Sequence, residues 1–91
     1  MKTNGINWSE VAKRLLLLRL ALDVSQVEID EATGIGTSRW NRFEKGTRDI
    51  KPDDIAALYE AYRVDANFIL FGWEDGLPSK ILKSMRGLRA K

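Results

Sequence analysis

The segment that most restricts how this chain can fold is residues 25–46, SQVEIDEATGIGTSRWNRFEKG. Ser25 is followed three residues later by Glu28, the S-x-x-E box that opens a helix. That helix is expected to end near Thr33, where Gly34 suits a left-handed stop. A second short helix then spans residues 37–45, with Gly36 before it and Gly46 as its stop. At about 100° per residue, Gly36, Trp40 and Phe43 fall on one arc of this second helix. Ser38, Asn41, Arg42 and Lys45 fall opposite, with Thr37 and Arg39 flanking. Two large aromatic rings are costly to leave in water. They are expected to anchor the helix in a core and turn its polar side outward.

The remainder of the chain also has helical periodicity. Residues 8–22 predict a first helix, with Asn7 and Glu10 spaced as a capping box. Val11, Leu15, Leu18 and Leu22 stack on one face of it, and Leu16, Leu17 and Leu20 widen that face, predicting burial over much of its girth. Arg19 interrupts the leucines. A partly buried guanidinium needs a carboxylate partner; the other possibility is that its stem snorkels to water. Pro52 fits the first turn of a fourth helix to about Tyr62, with Asp53 and Asp54 near its positive end and Ile55, Leu58 and Tyr62 inward. Asp65 is expected to cap a short fifth helix through Phe71, ended by Gly72. Residues 73–77 read as a linker, and Pro78 as the start of a last helix to Arg86. No segment alternates as a strand does, so the fold class is all-α: a five-helix bundle with a C-terminal sixth helix.

At 91 residues the chain is expected to form one small domain with a modest core. It contains no cysteine and no histidine, which excludes disulfides, thiolate chemistry and imidazole triads, and makes a zinc site improbable. No catalytic constellation stands out, and neither a metal nor a cofactor is expected. Residues 15–18 are the longest apolar run near Arg19, far short of a membrane span. Residues 1–7 lack a signal-peptide layout, so a cytoplasmic location is the default expectation. The net charge of +2 says little, but its distribution says more. Residues 25–33 carry Glu28, Asp30 and Glu31 without a base. Residues 36–51 carry Arg39, Arg42, Lys45, Arg48 and Lys51 against Glu44 and Asp49. Residues 52–76 are acidic apart from Arg63, and the tail adds Lys80, Lys83, Arg86, Arg89 and Lys91. A basic helix and loop beside acidic segments can present a positive face to phosphates.

An exposed helix bearing small polar and basic side chains is what a DNA major groove admits. Asn pairs two ways with adenine, Arg with guanine, and Ser or Thr with several base edges. Beyond this chemistry, residues 15–72 resemble the Cro and phage-repressor (XRE) family of helix-turn-helix regulators. The matching residues are Arg19, Ser25-Gln26, Ile29, Gly34-Ile35, Trp40, Phe43-Glu44-Lys45-Gly46, Leu58, Ala61-Tyr62, Val64-Asp65, Ile69-Leu70 and Gly72, in one unbroken register. The resemblance implies a lambda-repressor-like domain over residues 8–72 and a sequence-specific transcriptional regulator, a repressor, of bacterial or phage origin. It implies that Thr37, Ser38, Asn41 and Arg42 face bases, and that Gln26, Lys45 and Arg48 approach phosphates, with Arg39 flanking. It also implies an ion pair between Arg19 and Glu44. Asp30, Thr33, Gly36 and Arg63 depart from the family pattern; Asp30 is expected to widen the crossing of the second and third helices or to pair with a nearby base.

Family members gain affinity by dimerising, with two reading helices about one DNA turn apart. Residues 73–91, with Ile81, Leu82, Met85 and Leu88 at helical spacing, form either a homodimerisation helix or a helix folded back on its own domain. Two alternatives to the repressor remain open. One is an antitoxin-type DNA-binding protein whose tail binds a toxin. The other is a protein-interaction module on the same scaffold.

Overall fold

The computed structural model describes residues 5–90. Its elements are α1 (Trp8–Leu22), α2 (Gln26–Thr33), α3 (Thr37–Lys45), α4 (Pro52–Tyr62), a π-helical turn (Asn67–Phe71) and α5 (Ser79–Arg89). No strand occurs among the described residues. Lys91 and residues 1–4 lie outside them.

Local chemistry accounts for the helix ends. The Ser25 hydroxyl accepts from the Glu28 N–H, and the Glu28 carboxylate accepts from the Ser25 N–H, closing the expected box. At α1 only half of the expected box forms. The Asn7 side chain accepts from the Glu10 N–H. The Glu10 carboxylate turns away and pairs with Lys13, where both groups stay in water. Asp65 does cap the following turn, accepting from the Phe68 N–H at 3.0 Å. The turn it opens is π-helical rather than α-helical. Its carboxylate lies over Gly76, where an added Cβ would come within 2.2 Å of it, so the 73–77 connection has to be bare at that point.

α1 is the hub, packed against α3, α5 and the π turn, while α2 packs against α3 and α4. Val11, Leu15 and Leu18 are buried along α1, and Phe68, Ile69 and Met85 meet the same core from its other partners. The expectation of burial around most of α1 fails at two leucines. Leu16 and Leu20 are 38% and 49% exposed. They stand one turn apart on the side that no partner helix covers.

The C-terminal helix runs to Arg89, three residues beyond its expected end. A single Gly87 costs a helix only about 1 kcal/mol, and Arg89 pairs with Glu74 of the preceding connection at 2.8 Å. Ile81 and Met85 are buried, and Leu82 is partly buried against the same cluster. The apolar stripe of α5 is therefore spent on α1 of its own chain. Leu77, at the end of the connection, is buried as well.

Candidate nucleic-acid interface

The turn between α2 and α3 is fastened by polar side chains. Thr33 donates its hydroxyl to the Ile29 carbonyl and accepts from the Ile35 N–H, which lets Ile35 enter the core. Gly36 has φ of 102°, in the region L side chains avoid. No capping Ser or Thr could stand there without strain. Asp30 makes good the missing acceptor. Its carboxylate takes the Gly36 N–H at 2.8 Å and the Thr37 hydroxyl at 3.4 Å. The expectation that Asp30 widens the helix crossing or meets a base is corrected here: its acceptors serve the start of α3. The other departure, Arg63, closes α4 at φ of 62° and lays its guanidinium over the Tyr59 ring.

α3 is held from within by two rings and two ion pairs. Trp40 and Phe43 are buried and meet edge-to-face, 5.9 Å apart. At one end, Arg19 of α1 donates through Nε and Nη2 to the two oxygens of Glu44, at 2.5 and 3.1 Å. Its remaining reach goes to the Val24 carbonyl. Glu44 also accepts from the Trp40 indole and from Gln26. Burial pushes the Glu44 carboxyl up, and the donors Arg19, Trp40 and Gln26, with the guanidinium charge, outweigh it and hold the group below its ordinary range. The same bond raises Arg19 further above its ordinary value. Arg19 is thus bound to a carboxylate and does not snorkel.

At the other end, Arg39 forks onto Asp54 of α4, with bonds of 2.9 and 2.8 Å, and lies over the Phe43 ring. Asp54 is buried and also accepts from the Lys51 N–H, fixing the start of α4. Arg39 therefore stands in an internal pair, apart from the outward row. Sequence reasoning did not single out Asp54, because an Asp in the first turn of a helix already has a reason to be there.

Ser38, Arg42, Lys45 and Arg48 are exposed, and no ion pair among the described residues engages Arg42, Lys45 or Arg48. Thr37 and Asn41 are half-buried at the margin of this row. Gln26, at the start of α2, directs its amide nitrogen to Asn41 Oδ1 at 3.1 Å and to Glu44 Oε1 at 3.0 Å. The result is one short helix with a clamped inner face and a cationic, hydrogen-bonding outer face. Such a face can meet phosphates and base edges together.

Residues 10–67, more than half of the chain, match the family model of a helix-turn-helix domain. No curated protein and no solved structure matches the chain.

Proposed function

The chain belongs to the helix-turn-helix domain family, and we propose that it is a sequence-specific DNA-binding transcriptional regulator, a repressor of the Cro and phage-repressor (XRE) branch. α3 lies in the major groove. Ser38, Asn41 and Arg42 read base edges, with Thr37 beside them offering its methyl group and oxygen lone pairs. Lys45 and Arg48 neutralise phosphates and set register and affinity. One observation carries this reading. The only exposed side of α3 is the one bearing Ser38, Arg42 and Lys45, while Trp40, Phe43, Arg39 and Glu44 are all committed inward.

The regulator works in the cytoplasm as a homodimer on a two-fold symmetric operator. The pairing surface lies outside the buried stripe of α5. Phe71 and Trp73, stacked 5.4 Å apart and about half exposed, are the aromatic pair available for it. Selecting bound duplexes from a random DNA library tests the whole reading. A single enriched, two-fold symmetric site is expected, bound with an affinity that falls steeply as salt rises. Equal retention of all sequences at every salt concentration overturns it.

A further inference from the structure

The hydrogen bonds behind α3 fix which atoms of Asn41 face outward. The chain of reasoning starts at Arg19. Its fork on Glu44 keeps that carboxyl ionised, so both Glu44 oxygens can only accept. The amide atom of Gln26 that touches Glu44 must then be its nitrogen. That nitrogen carries two hydrogens, and the second one goes to Asn41. The Asn41 atom facing Gln26 must therefore be its carbonyl oxygen. Neither the orientation of Gln26 nor that of Asn41 is a free choice, because the reversed arrangement sets like atoms against each other.

Two consequences follow for the surface. No buried side-chain nitrogen or oxygen among the described residues lacks a partner. Asn41 Nδ2 makes no hydrogen bond within the protein, so it is open to solvent and displays its N–H groups outward. Gln26 has both amide hydrogens engaged, and only its Oε1 is left for solvent. An acceptor has no attraction for a phosphate oxygen.

We infer that Gln26 is a positioning residue for base readout: it locks Asn41 as a hydrogen-bond donor, so that α3 selects a guanine edge at the base pair Asn41 meets. Guanine shows two acceptors, N7 and O6, in the major groove. Adenine shows one acceptor beside an N6 donor, and pairing with it requires the Asn oxygen that Gln26 already holds. The inference rests on the DNA-binding reading above. It departs from the expectation that the Gln26 side chain touches phosphate.

Random-library selection with the wild type, Gln26→Met and Asn41→Asp tests it. Wild type is expected to favour guanine over adenine at one position by about tenfold or more. Gln26→Met removes both donors at similar volume, so that preference should shrink to near parity. The other positions and the salt dependence should stay as they were. Asn41→Asp turns the displayed atom into an acceptor, and the same position should move to cytosine, whose N4 donates. Uniform weakening of Gln26→Met on every duplex, with a shallower salt dependence, assigns Gln26 to a phosphate and overturns the inference. So does enrichment of adenine by the wild type at the Asn41 position. A wild type that enriches no sequence overturns the DNA reading itself. Side-chain amide NMR of the DNA-free protein separates the two failures. The Gln26 NH2 signals should stand apart from those of a solvated amide, and coincidence with solvated values removes the lock.

Discussion

Arg39 and Arg42 sit three residues apart on the same helix and meet opposite ends. Arg39 is forked onto the buried Asp54 and covered by Phe43 on the inner side of α3. Arg42 stands in water on the outer side. Glu44 and Lys45 repeat the contrast: one carboxylate gathers Arg19, Trp40 and Gln26, while the neighbouring ammonium is exposed. Charge on α3 thus has two uses. On the inner face it ties the helix to α1 and α4 at fixed points. On the outer face it is held ready for a partner. What separates the two is the availability of a carboxylate within the fold, since a buried charge requires one and an exposed charge does not.

The comparison predicts that inner-face changes act on stability and outer-face changes on binding. The largest effect should come from Glu44→Ala, which strands Arg19 in a nearly buried setting and leaves Trp40 and Gln26 without their acceptor. A loss of about 3–5 kcal/mol in chemical unfolding is expected. A loss below about 1 kcal/mol would show that the inner pair is dispensable. The same carboxylate should give a pH signature. Its value in the folded chain lies below the ordinary 4.5. Its contribution is therefore complete above that value and is lost as the pH falls through the lowered one. The stability gap between wild type and Glu44→Gln should close as the pH drops below about 4.5; a gap that stays constant contradicts the pairing.

Asp54→Ala should cost less, about 1–3 kcal/mol, because Arg39 is a third exposed and water can replace part of what it loses. Thermal unfolding checks this. A cost equal to that of Glu44→Ala would make the two ends of α3 equivalent. On the outer face, Arg42→Ala should leave unfolding within about 0.5 kcal/mol of wild type. It should weaken the selected duplex by about 1–3 kcal/mol and relax base choice. Equal losses on selected and random DNA would move Arg42 to the phosphate-contacting group. The smallest effect belongs to Arg48→Ala, which should weaken all duplexes alike and lower the slope of log affinity against log salt by about one. A sequence-selective loss would place Arg48 at a base instead.

Much of this was legible before any coordinates, and the reasons are local. The Ser25–Glu28 box, Gly34 and Gly46 set the limits of α2 and α3 through contacts within a few residues of each other. The aromatic spacing of Trp40 and Phe43 oriented α3, because burying two rings outweighs any preference of the polar residues between them. Arg19 could be paired with Glu44 only through the family resemblance, since nothing within one turn of either residue announces the other. Asp30 was misjudged for the same reason. Its partners, Gly36 and Thr37, lie across the turn, and a carboxylate in the middle of a helix gives no local sign of reaching there. Leu16 and Leu20 were misjudged because periodicity reveals an apolar face but not the number of neighbours available to cover it.

The linear order of residues was enough to establish an all-helical chain, the limits of its first four helices and the side of α3 that would turn away from the core. Those features depend on spacing and on hydrogen bonds that close within four residues. Three-dimensional packing alone decided that Arg39 belongs to Asp54, that Gln26 addresses Asn41 and Glu44, and that the apolar stripe of α5 lies on α1. Each of these joins residues from different helices. Which of many possible partners a buried charge or apolar stripe meets depends on how those helices cross.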